Sequence, residues 1–158
     1  MKLTHITIHC SATRPHQNIG RKEIRRMHIN KGYRDIGYHY IIRRDGSVQA
    51  GRPVTQQGAH VKGHNTGNIG ICLIGGLDAN GKPVNNYTEE QFYSLECLVE
   101  ELCSVNNIDY EFVCGHRDWY GDTNNDGIID SHDWLKECPC FDVKTWLKNC
   151  TLQIHVRS

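Results

Sequence analysis

The segment Ile69 to Ile74 reads IGICLI, apolar at alternate and intervening positions alike, and it stops at Gly75-Gly76. A strand of this kind hides both faces from water, so the chain must cover it with layers on each side. That requirement points to an α/β domain with a central sheet. The covering helices are visible. Thr88 and Gln91 fit a capping box, and Phe92, Leu95, Leu98, Val99 and Leu102 form an apolar stripe behind it. Arg21 to Lys31 has helical character, with Ile24, Met27 and His28 on one side and Gly32 as its stop. Asp142 to Lys148 reads as a last helix with Val143, Trp146 and Leu147 inward.

Further strands flank the central one. Thr4 to Cys10 alternates, placing Ile6, Ile8 and Cys10 on a core face and His5, Thr7 and His9 on a polar one. Tyr38 to Arg43 reads as a second strand, and Asp45-Gly46 turns it into a short third, Ser47 to Gly51. Tyr110 to Cys114 is another, ending at Gly115-His116. The 158 residues suit one domain, 1–158, with a mixed central sheet flanked by helices. The order of the strands does not follow from this pattern.

Composition narrows the function. Lys and Arg number 18, balanced by 18 Asp and Glu, so the excess positive charge that drives nucleic-acid binding is missing. No stretch approaches the roughly 20 apolar residues of a membrane span. Met1-Lys2-Leu3-Thr4-His5 runs straight into a strand pattern without a secretory signal. The expectation is therefore a protein that is cytoplasmic as synthesised. In that compartment the eight cysteines read as buried thiols or metal ligands and not as disulfides. Cys10, Cys72, Cys97 and Cys103 sit in apolar patterns as small core residues. Cys138 and Cys140 sit in a turn-like segment beside Pro139, where a chemical role is open.

By residue type, His9 at a strand end, His116 after another strand and Cys138 in the late loop could form a catalytic zinc site, which commonly takes three protein ligands. Two imidazoles and a thiolate would leave zinc one net positive charge, enough to polarise a carbonyl and acidify water. The separations of 107 and 22 residues match no local zinc motif. Strand-end histidines that only satisfy hydrogen bonds fit the spacing equally well.

Five ordered motifs add a resemblance. His9-Cys10-Ser11-Ala12-Thr13 comes first. Arg34-Asp35-Ile36-Gly37-Tyr38-His39-Tyr40-Ile41-Ile42, with Arg44-Asp45-Gly46, comes second. Gly58-Ala59-His60, Asn65 and Asn68-Ile69-Gly70-Ile71-Cys72-Leu73-Ile74-Gly75-Gly76 form the third. Gly115-His116-Arg117-Asp118 and Cys138-Pro139-Cys140-Phe141-Asp142 close the set. Over about residues 4 to 148 the chain resembles the phage lysozyme-type amidases, the type 2 N-acetylmuramoyl-L-alanine amidases, whose fold peptidoglycan recognition proteins share. The resemblance implies His9, His116 and Cys138 as zinc ligands, with Cys140 the competitor for Cys138. It implies Tyr38 and Lys136 as catalytic residues, and His60 and Asn65 as lining a groove for muramyl peptide. The substrate it implies is peptidoglycan, cut between the lactyl group and L-alanine by a phage or prophage endolysin released through a holin-like pore. The alternative is a non-catalytic peptidoglycan-binding or sensing domain of the same fold. Some amidases of this type also bind the phage RNA polymerase, but no surface for that partner is legible here.

One segment departs from the short phage enzymes. Residues 122–133 fit an EF-hand calcium loop, with Asp122, Asn124, Asp126, Asp130 and Asp133 as oxygen ligands. The Ile128 carbonyl takes position seven, and Gly127 makes the sharp turn. Asp in place of Glu at the last position makes bidentate ligation harder, and a metal-free acidic surface turn is the other reading.

Overall fold

The structure is a computed structural model that describes residues 1–121, 123–127 and 137–157, without the side chains of 151–157. Its strands are β1 (His5–Cys10), β2 (Tyr40–Ile42), β3 (Val48–Ala50), β4 (Asn68–Leu73) and β5 (Val113–Gly115). Its helices are α1 (Arg21–Asn30), α2 (Glu89–Asn106) and α3 (Val143–Arg157). The strands form one sheet in the order β3-β2-β4-β1-β5. Every residue of β4 is buried and β4 holds the middle position, as its unbroken apolar run requires. β1 runs parallel to β4 and β5, β2 runs parallel to β4, and β3 alone is antiparallel. The sheet is thus mixed, within a single α/β domain.

The two faces are covered differently. On one, Leu95, Leu98, Val99 and Leu102 of α2 and Val143 and Leu147 of α3 pack on Ile6, Ile8, Ile69, Ile71 and Leu73. The capping box forms: Thr88 Oγ1 accepts from Gln91 N, and Gln91 Oε1 accepts from Thr88 N. Gln91 is fully buried, and its amide also donates to Ile42 O and Ile74 O at the end of the sheet. On the other face α1 covers only part of the sheet, through Ile24 against Ile41, Cys72 and Ile74. The remainder of that face is polar.

Thr7 and His9 lie on the polar side of β1, opposite Ile6 and Ile8, and both are buried. Four local expectations are corrected. Met27 is 39% exposed; Ile24 and His28, four residues apart, share the inward stripe instead. Cys97 is exposed, since its direction on α2 lies away from Leu95 and Leu98. Residues 110–112 form a 3₁₀ turn, and the strand starts only at Val113. β2 is also shorter than the sequence suggests. At its start, His39 Nδ1 accepts from Gly70 N, so a ring nitrogen stands where a ladder carbonyl would otherwise be.

Candidate metal centre

Sheet order brings distant residues together. β1 and β5 are neighbours, with Ile8 paired to Gly115, so His9 and His116 leave adjacent strand ends. The late loop is then drawn in. Arg117 N donates to Cys138 O at 2.9 Å. Gly115 admits Pro139 so closely that a Cβ there would lie 2.8 Å from Pro139 Cδ. Cys138 Sγ accepts from Cys10 N at 3.2 Å. Ligand atoms of His9, His116 and Cys138 consequently lie within 4.8 Å of one another. Tetrahedral zinc with two nitrogens and one sulfur sets its ligand atoms about 3.3–3.6 Å apart, so a small contraction would seat an ion. Two borderline nitrogens and a soft sulfur suit zinc by chemistry as well as by spacing. Cys140, the competing thiol, turns away, its Sγ against Gly76 O at 3.5 Å.

The imidazoles are held on both sides. His9 is 1% exposed. Its Nε2 lies 2.8 Å from His60 Nδ1, and its Nδ1 faces Cys138 Sγ at 3.9 Å. His116 Nε2 shares a hydrogen bond with Tyr120 Oη, and its ring meets that of His9 edge-on at 4.7 Å. Burial holds His60 down at about 4, so it is neutral at ordinary pH. The hydrogen bond shared with the Cys10 thiol, and then burial, push the Cys138 thiol well above its usual range. A cation between the ligands would reverse this, because a coordinating thiol is deprotonated outright.

Tyr38 stands beside the cluster, its ring 5.0 Å from that of His9 and 5.2 Å from that of His28. Burial raises its hydroxyl well above 10, so the phenol keeps its proton. A cavity of about 590 Å³ opens next to His116, walled by Tyr33, His60, Lys62, Asn65 and Trp119. Asn65 Oδ1 accepts from His60 N and Val61 N and so shapes the wall it lines. Sequence reasoning missed Trp119, which stacks on His64 at 4.5 Å and donates from Nε1 to Thr7 Oγ1. Its place three residues after His116 was the available signal. Lys136, and Asp122, Ile128, Asp130 and Asp133 of the calcium-loop pattern, lie outside the described residues. Asn124 and Asp126 are exposed and bond each other, Asp126 N to Asn124 Oδ1 at 3.1 Å.

A family model described as N-acetylmuramoyl-L-alanine amidase matches residues 1–128. The endolysin of Escherichia phage T7 is 41% identical over 143 residues, covering 89% of this chain and 83% of the relative. The endolysin of Enterobacteria phage K11 is 40% identical over 142 residues, covering 89% and 83%. Among solved structures, the N-acetylmuramoyl-L-alanine amidase LysC from Clostridium intestinale URNW superposes with a TM-score of 0.72 at 24% identity. That match covers 98% of this chain and 87% of LysC. The family match and the phage relatives show that this chain belongs to the N-acetylmuramoyl-L-alanine amidase family and is a peptidoglycan amidase.

Proposed function

We propose that the chain is a zinc-dependent endolysin that hydrolyses the amide between the lactyl group of muramic acid and L-alanine. The observation that carries this reading is the convergence of His9, His116 and Cys138 beside an open cavity. Three side-chain ligands leave a tetrahedral ion one position for a reactant, which is the pattern of a catalytic site and not of a closed structural one. When bound there, zinc supplies Lewis acidity toward a carbonyl and lowers the pKa of water.

The chain's own residues do the rest. The cavity beside His116 holds the muramyl peptide, with Asn65 and the edge of His60 on its wall. Tyr38, protonated by virtue of its burial, donates a hydrogen bond at the reacting amide. It passes a proton to the departing L-alanine nitrogen and regains one from the attacking water. Lys136, two positions before Cys138 in the sequence, supplies an ammonium to the developing oxyanion.

The test is incubation of purified sacculi with the protein, with and without a zinc chelator, followed by mass analysis. Glycans carrying a free lactyl carboxyl, together with peptides that begin at L-alanine, are expected only without chelator. Cleavage between sugars, or within the stem peptide, would contradict the assignment of the bond.

A further inference from the structure

We infer that His60 is a positioning residue for the metal centre, fixing which nitrogen of His9 faces the ion. The inference rests on the reading of His9 as a ligand. It follows from the direction of each hydrogen bond in a short chain. His60 Nε2 lies 2.9 Å from the backbone oxygen of Asn68. A carbonyl only accepts, so Nε2 of His60 carries a hydrogen. His60 Nδ1 and His9 Nε2, 2.8 Å apart, share one hydrogen. A coordinating imidazole keeps its hydrogen on the nitrogen remote from the ion, and here the remote nitrogen is His9 Nε2. His9 therefore donates, His60 accepts, and the lone pair of His9 Nδ1 is turned toward Cys138 Sγ. The two ends of the chain require the same assignment independently.

The surroundings lock this arrangement. Gly70 lies beneath the His60 ring, and a Cβ there would come within 2.8 Å of Cγ and Cδ2. Asn65 Oδ1 holds the backbone nitrogen of His60 at 2.8 Å. Asn68, which supplies the terminal carbonyl, is fixed in turn. Its Oδ1 accepts from Thr7 Oγ1, and its Nδ2 donates to His64 O. With both ring nitrogens engaged inside the protein, His60 acts on the reaction through His9 and not by contact with the reacting atoms.

Nitrogen-15 NMR of histidine-labelled, metal-free protein reads the tautomers directly. His60 and His9 are both expected with hydrogen on Nε2. Hydrogen on Nδ1 of His60 would overturn the inference, and this reading needs neither activity nor a variant. Zinc affinity by competition with a chromophoric chelator is the second measurement. His60→Ala and His60→Phe are expected to weaken binding on the order of 10- to 100-fold, the usual effect of losing a ligand's outer partner. His60→Gln keeps an acceptor and a donor and is expected to recover most of the loss. Melting of each metal-free variant separates this effect from damage to the fold. Folded variants that all bind zinc like the wild type overturn the inference alone. A wild-type protein that binds no zinc overturns it together with the reading on which it rests.

Discussion

At the scale of single residues, burial decides which protonation states the site can use. His28 accepts from Gly37 N through Nδ1, and burial, helped by Lys31 and Arg52, lowers it to about 4. An unfolded histidine titrates near 6.5, so as pH falls the unfolded chain takes up this proton first. The stabilisation is complete above about 6.5 and is lost progressively as pH falls from there through about 4. Melting temperatures of metal-free protein across that range should therefore drop less for His28→Gln, which can still accept from Gly37 but does not titrate. An equal drop in both proteins would contradict the assignment. Little of this was legible in the sequence. His28 appeared only as a residue on one side of a helix, because whether a histidine is solvated or buried depends on contacts between elements. The candidacy of His9, His116 and Cys138 was likewise unreadable from separations of 107 and 22 positions; only the ordered motifs marked them.

At the scale of elements, the sequence was most informative where periodicity and caps coincide. α2 begins at Glu89 behind the Thr88–Gln91 box, and β4 is the central strand that its apolar run implies. It was least informative where a turn replaces a strand, as at residues 110–112, or where a side chain replaces a ladder acceptor, as at His39. The join between β5 and the Cys138 loop depends on Gly115, whose φ of −87° any residue can adopt. The demand for glycine there comes from contact alone, since a Cβ would lie 2.8 Å from Pro139. Gly115→Ala is expected to displace the cysteine from the two histidines and weaken zinc binding by about tenfold or more. A chelator-competition titration showing unchanged affinity would mean that the loop reaches the site without this contact.

At the scale of the whole molecule, function follows from an asymmetry between the faces of the sheet. One face is sealed by α2 and α3 over an aliphatic core. The other is covered by α1 only in part, and its polar residues are buried under loops. Among the described residues no buried side-chain nitrogen or oxygen lacks a hydrogen-bond partner, so this polar region is stable despite its desolvation. Strand order was absent from the sequence pattern, yet it decides everything about the site, because it is the adjacency of β1 and β5 that sets His9 beside His116.

The central claim is that His9, His116 and Cys138 together hold one ion. Loading metal-free protein with cobalt(II), which accepts the same ligands as zinc and reports on them in the visible spectrum, tests it most directly. One equivalent of cobalt is expected to give a four-coordinate spectrum with a sulfur-to-cobalt charge-transfer band. That band should vanish in Cys138→Ser and persist in Cys140→Ser. A band that survives in Cys138→Ser, or a wild-type protein that takes up no cobalt, would contradict the account.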